Sequence, residues 1–177
     1  SDGRTEPIEG ETPATSNQDL VHKWAKNQAI IGYGVCAPNH IIFDLDVKKG
    51  KNGPAEFEKL REKYEIPKPG FVVKTRSGGY HLYYNRADSL KAAAIAKAVN
   101  LTISKTEIYE GVDLVANNGY AVGPEADDAE WSEGKYIIVK GNLTELSTCP
   151  ENVLKLQIRN KGVLSPTMGS DLVEIDV

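Results

Sequence analysis

FVVKTRSGGYHLYYN (residues 71–85) decides the fold. Its two halves are rich in β-branched and aromatic residues, and Ser77-Gly78-Gly79 between them is turn chemistry. The stretch therefore predicts strands over 71–76 and 80–85 joined in a hairpin. Side chains alternate across a strand, so Lys74 and Arg76 share a face of the first, and His81 and Tyr83 share a face of the second. PKPG (67–70) breaks the chain just before it.

Toward the N-terminus, GPAEFEKLREKY (53–64) predicts a helix with Pro54 in its first turn and Phe57, Leu60 and Tyr64 on one face. AIIGYGVCAP (29–38) and HIIFDLD (40–46) predict a second pair of strands around a tight turn at Pro38-Asn39. Ser16 is the expected N-cap of a helix running to about Asn27, with Asp19 three residues on and Leu20, Val21 and Trp24 as its apolar stripe. Residues 1–16 read as an extended arm.

Toward the C-terminus, DSLKAAAIAKAVN (88–100) predicts an alanine-rich helix capped by Asp88. TEIYEGVDLVA (106–116) leads through Asn117-Asn118-Gly119 into GYAVGP (119–124), a further expected hairpin. EADDAEWSEG (125–134) reads as an acidic loop, KYIIVKG (135–141) as a strand and PENVLKLQI (150–158) as a short helix. Strands in hairpins interleaved with three helices indicate an α+β (mixed α/β) domain over residues 17–160, with 161–177 as a tail.

The 177 residues suffice for one domain of ordinary size, and 40% apolar with 26% charged residues is a normal globular balance. No apolar run approaches the about 20 residues of a membrane span, and the first residues lack the apolar core of a signal peptide. Cys36 and Cys149 lie far apart, outside any CxxC pair, which argues against a zinc ribbon or a disulfide framework and fits a reducing cytoplasm. A net charge of −4 excludes gripping nucleic acid by overall basicity, though not through a local basic groove.

Three clusters can carry chemistry. In Phe43-Asp44-Leu45-Asp46 two carboxylates share one face of a strand; a divalent cation such as Mg²⁺ would relieve their repulsion. The alternative is a strand that ends at Asp46 with both acids solvated beside Lys48 and Lys49. In the hairpin, adjacent Gly78 and Gly79 let backbone amides approach an anion, and Lys74, Arg76, Ser77 and His81 surround them, an arrangement able to hold a triphosphate. The alternative is an ordinary turn with a histidine at its rim. Asp113 interrupts the apolar run Gly111-Val112-Asp113-Leu114, and it is costly if buried alone or unremarkable if that face is wet.

In this order, IIFDLDVKKG (41–50), VVKTRSGGYHLYY (72–84) and GVDLVANNGYAVGP (111–124) resemble the primase–polymerase (prim-pol) family of the archaeo-eukaryotic primase superfamily. The likeness runs from about Trp24 to about Leu156. It implies a catalytic core with an RRM-like mixed or antiparallel sheet flanked by helices, joining nucleotides on a DNA template with release of pyrophosphate. By the same resemblance Asp44, Asp46 and Asp113 are metal-binding carboxylates for two divalent cations, Mg²⁺ or Mn²⁺. His81 contacts the phosphates of the incoming nucleotide, assisted by Ser77, while Lys74 and Arg76 are added from strand geometry and charge.

The implied partners are a single-stranded DNA template, a primer strand and NTP or dNTP, with no membrane. Lys48, Lys49 and Lys51 are candidate contacts to the template. Some relatives carry a zinc insertion, but no Cys/His set for zinc is present here, and no GxxxxGK(S/T) loop of a helicase occurs. Any helicase would lie on another part of the polypeptide or act in trans. The expected setting is the cytoplasm of a bacterial or archaeal host, in the replication of a phage, plasmid or other mobile element. Two other readings remain: a non-catalytic nucleotide- or single-strand-binding module on the same fold, and a two-metal nuclease.

Overall fold

Ile41, Phe43 and Leu45 alternate with Ile42 and Asp44 along one strand, and this alternation separates the two faces of the molecule. The structure, a computed structural model, describes residues 17–26, 33–91, 93–95, 97–124 and 135–155. In chain order the elements are α1 (Gln18–Ala25), β1 (Gly34–Leu45), α2 (Gly53–Lys63), β2 (Phe71–Lys74), β3 (Tyr80–Asn85), β4 (Thr102–Ser104), β5 (Glu107–Ile108), β6 (Val112–Val122) and β7 (Ile137–Lys140). Five of the strands form an antiparallel sheet in the order β6-β1-β3-β2-β7, and β4 pairs with β5 apart from it. This is the expected α+β class.

α2 starts where Asn52 Oδ1 accepts the Ala55 N–H, with Pro54 in its first turn, and buries Phe57 and Leu60. They join Ile41, Phe43, Leu45, Leu82, Tyr84, Val112 and Leu114 in the larger core, where the Phe43 ring lies 5.0 Å from Phe57. Each such side chain stabilises the fold by about 1.5–3 kcal/mol through burial. The opposite face carries a smaller core of Ile42, Phe71, Val73, Tyr83, Val115 and Ala121. α1 is capped by Asn17, not by the expected Ser16, which lies outside the described residues; its Leu20 and Val21 are exposed.

Three expectations are overturned. Pro38-Asn39 does not reverse the chain, because residues 34–45 form one strand. Asn117-Asn118-Gly119 likewise lies inside β6 instead of closing a hairpin. The two turn-forming stretches face each other across the ribbon: Ala37 pairs with Asn117 and Ile42 with Val115, so five steps along β1 match two along β6. Proline cannot donate to a ladder, and Asn117 takes φ +52°, so residues that could build turns build a matched bulge. Beyond the bulge, Val35 and Ala121 pack with the second core, and Tyr33 and the Val122 backbone lie close enough to Tyr83 and His81 to act on their ionisation.

The third correction is the alanine-rich helix. Only Asp88–Leu90 forms a short 3-10 turn, after which Ala98 bridges to Leu114 and extends the sheet edge. Helix propensity is overridden because the carbonyls of Lys91 and Ala93 accept from Arg86, and that of Ile95 accepts from Asn117. The first hairpin strand is also shorter than expected, ending at Lys74. The arm (1–16), the acidic loop (125–134), the tail (161–177) and residues 29–32 of the first expected strand lie outside the described residues; of the expected last helix, residues 151–155 are helical. No helix of the described residues is long and apolar enough to cross a membrane.

Candidate active site

Asp44 stands near the end of β1, between β6 and β3 in the sheet, directly opposite His81 of β3 on one side and Asp113 of β6 on the other. Directly paired residues of antiparallel strands point to the same face, so Asp113, Asp44 and His81 form a row on the face away from α2. His81 Nε2 lies 3.5 Å from Asp44 Oδ1, an electrostatic contact longer than a good hydrogen bond. The third acid expected at this site, Asp46, follows two residues on and is held by its backbone. Its N–H donates to the Gly111 carbonyl at 2.7 Å, and its own carbonyl accepts the Gly53 N–H at 2.9 Å. A Cβ at position 53 would fall 2.3 Å from the Gly111 carbonyl oxygen, so only glycine allows α2 to start against the Asp46 backbone.

The electrostatics are those of crowded acids. Burial, followed by the negative charges of Asp46 and Asp113, raises the Asp44 carboxyl from 3.8 to about 6, against the nearby cations Lys48 and Lys97. His81 is lowered from 6.5 to about 4 by burial, partly opposed by the Val122 backbone and Asp46. At neutral pH the row therefore holds an ionised Asp44 beside a neutral imidazole. Among the described residues, His81 Nδ1 and the Tyr83 hydroxyl are buried with no hydrogen-bond partner, and the Tyr136 ring lies 5.5 Å from His81. Buried polar atoms left unpaired cost about 1–3 kcal/mol each, and a polar ligand entering here would satisfy them.

The glycine turn packs beside this row. Thr75 N–H donates to the Gly79 carbonyl and Gly78 N–H to the Thr75 carbonyl, both at 2.9 Å, while the Thr75 and Ser77 hydroxyls lie 3.1 Å apart. The Gly78 amide is thus engaged within the turn and does not point at an anion. A Cβ on Gly79 would meet the Leu45 carbonyl oxygen at 2.1 Å, a backbone atom no rotamer can move. Gly79→Ala is therefore expected to cost about 2 kcal/mol or more in urea unfolding and to displace the end of β1; a loss under about 0.5 kcal/mol would contradict this packing.

Lys74 is not brought to the row. It pairs with Tyr80, whose ring packs on the α2 side, so strand alternation places Lys74 across the sheet from His81. Arg76 sits in the turn beyond β2, so it does not share a strand face with Lys74 as expected. Lys48 and Lys49 are exposed beyond Asp46, and Lys51 Nζ lies 3.6 Å from Asp46 Oδ2. Sequence reading passed over Asn100, whose N–H donates to Asp113 Oδ1 at 2.8 Å, and Lys97. Both lay in a segment read as helix, which hid their approach to the site.

Hard carboxylate oxygens crowded enough around Asp44 to raise its pKa suit a hard dication such as Mg²⁺ or Mn²⁺. Among the described residues no three Asp, Glu, His or Cys groups are already gathered around a common point. Such an ion would be held by one or two of Asp44, Asp46 and Asp113, with water and phosphate oxygens completing its shell. Cys149 is buried, its thiol pushed up to about 12 by desolvation, and is no ligand. No individual curated protein matches the chain. Over residues 2–152 the chain matches the Prim-Pol family model, described as the N-terminal domain of bifunctional DNA primase/polymerases, and it belongs to that family.

Proposed function

We propose that this domain is a template-dependent DNA primase–polymerase core that joins nucleotides by phosphoryl transfer assisted by two divalent cations, releasing pyrophosphate. The observation that carries the reading is the row Asp113–Asp44–His81, built by the register of three adjacent strands, with Asp46 beside it. Phosphoryl transfer asks a protein mainly for alignment and charge neutralisation, which clustered acids and a buried imidazole on a rigid sheet can provide. Asp44, Asp46 and Asp113 would hold the cations. Bound there, divalent cations lower the pKa of a primer 3′-hydroxyl and neutralise the triphosphate. His81, neutral and largely sealed from solvent, would contact the triphosphate of the incoming NTP or dNTP, and the covering β1–β6 ribbon would limit water access.

The test is incubation with single-stranded DNA, Mn²⁺ and labelled nucleotides, with and without primer. Product without primer means priming, and product only with primer means polymerisation. His81→Ala is expected to raise the KM for nucleotide about 10-fold or more while leaving the Mn²⁺ requirement unchanged; an unaltered KM would remove His81 from the nucleotide site. The second reading, a non-catalytic nucleotide- or strand-binding module, draws support from the lack of a preassembled three-donor group among the described residues. Metal-independent nucleotide binding with no incorporation would establish it.

A further inference from the structure

The segment expected to be a helix supplies a feature that lies outside the three stretches 41–50, 72–84 and 111–124. Residues 98–101 run antiparallel to β6: Ala98 and Leu114 exchange backbone bonds at 2.8 and 3.1 Å, and Leu101 N–H donates to the Val112 carbonyl at 2.6 Å. Three steps along this segment match two along β6, so the extra residue forms a bulge opposite Asp113. Asn100 occupies it with φ +50°, a left-handed conformation that asparagine tolerates better than most residues. The bulge turns the Asn100 N–H out of the ladder and onto Asp113 Oδ1, at 2.8 Å.

The side chain of the same residue locks this arrangement. Asn100 Oδ1 accepts the Gly111 N–H at 2.9 Å and Lys51 Nζ at 3.3 Å. Lys51 also lies 3.6 Å from Asp46, and the Gly111 carbonyl accepts the Asp46 N–H. One amide side chain thus ties the Asp113 strand to both the backbone and the carboxylate of Asp46.

The geometry points to Asn100 as a positioning residue that orients the Asp113 carboxylate and couples it to Asp46 for divalent-cation binding. This rests on the metal-centre reading above. Engaging Oδ1 leaves Oδ2 of Asp113, which has no bond among the described residues, as the oxygen to meet a cation, and the link through Gly111 and Lys51 keeps the two acids at a set spacing. Partners that orient metal ligands typically carry about 10- to 100-fold in affinity when lost.

The test is Mn²⁺ titration of the intact chain by electron paramagnetic resonance, well below the melting temperature, for wild type, Asn100→Gly and Asp44→Ala. Glycine keeps the left-handed backbone and its N–H but loses the locking side chain. Asn100→Gly is expected to weaken Mn²⁺ about 10-fold or more and to raise the Mn²⁺ needed for half-maximal extension, with the rate at saturating Mn²⁺ within about 3-fold of wild type. Asn100→Ser, which cannot span both contacts, reads the same loss where Asn100→Gly does not fold. If Asp44→Ala abolishes Mn²⁺ binding while the Asn100 variants bind like wild type, the positioning role is overturned and the metal centre stands. If Asp44→Ala itself binds Mn²⁺ normally, the metal-centre reading falls and this inference with it.

Discussion

Asp44→Ala is expected to lower template-directed nucleotide incorporation by about 1000-fold or more, which corresponds to about 4 kcal/mol of lost transition-state stabilisation. Asp44 is flanked in register by both Asp113 and His81, so no neighbouring acid can take its place without shifting a strand. Primer extension at saturating Mn²⁺ measures it, and a variant within 10-fold of wild type would remove Asp44 from the chemistry. The fold should not suffer. A carboxyl raised to about 6 by burial and like charge destabilises the metal-free protein at neutral pH. Asp44→Asn should therefore gain about 1 kcal/mol, after discounting for the 36% of the side chain that faces solvent, and melt about 2–4 °C higher. Added Mn²⁺ should raise the melting temperature of wild type and not that of the variant.

Acid titration of the metal-free protein separates the two groups. For Asp44, raised from 3.8 to about 6, the stabilising contribution is complete below pH 3.8 and is lost as pH rises toward 6. For His81, lowered from 6.5 to about 4, the contribution is complete above pH 6.5 and is lost as pH falls toward 4. In wild type the two slopes oppose each other between pH 4 and 6. Asp44→Asn leaves only the histidine slope, so its stability should fall more steeply on acidification. Parallel curves for the two proteins would contradict the assigned environments.

Arg86→Met is the variant expected to damage the fold most. Arg86 is 2% exposed and reaches the register shift between β1 and β6. Its Nε donates to the His40 carbonyl at 3.3 Å, one terminal nitrogen donates to the carbonyls of Lys91 and Ala93 at 3.3 and 3.1 Å, and the other donates to Asn117 Oδ1 at 2.5 Å. One cation thus joins the bulged parts of β1 and β6 to the loop that replaces the expected helix. Methionine fills much of the volume but donates nothing, leaving several acceptors unpaired, most of them half-buried, and an unpaired acceptor that water cannot reach costs about 1–3 kcal/mol. A loss of about 3–5 kcal/mol in urea unfolding is expected, enough to unfold a marginal domain at 37 °C. A loss under 1 kcal/mol would mean that water or the loop readily replaces the arginine.

Local chemistry told much of the fold and failed at identifiable places. α2 was legible because Asn52, Pro54, Phe57 and Leu60 give cap, first turn and buried face within one short segment. The β2–β3 hairpin was legible because Ser77-Gly78-Gly79 lies between two short β-rich runs. Pro38-Asn39 and Asn117-Asn118-Gly119 misled because the same residues serve a turn or a bulge, and which one forms depends on the partner strand. The alanine-rich segment misled because its carbonyls accept from the side chains of Arg86, just before it, and Asn117, well beyond it, and such bonds leave no trace in the segment's own periodicity.

Within the candidate site, the residue types and the face shared by Ile42 and Asp44 followed from the sequence alone, since strand alternation is a local rule. That Asp113 and His81 flank the same carboxylate, that Lys74 lies across the sheet from them and that Asn100 reaches Asp113 were decided only by tertiary structure. Strand order and register arise from contacts between segments tens of residues apart, and their free energy depends on which faces are buried together, a quantity no single stretch of sequence contains.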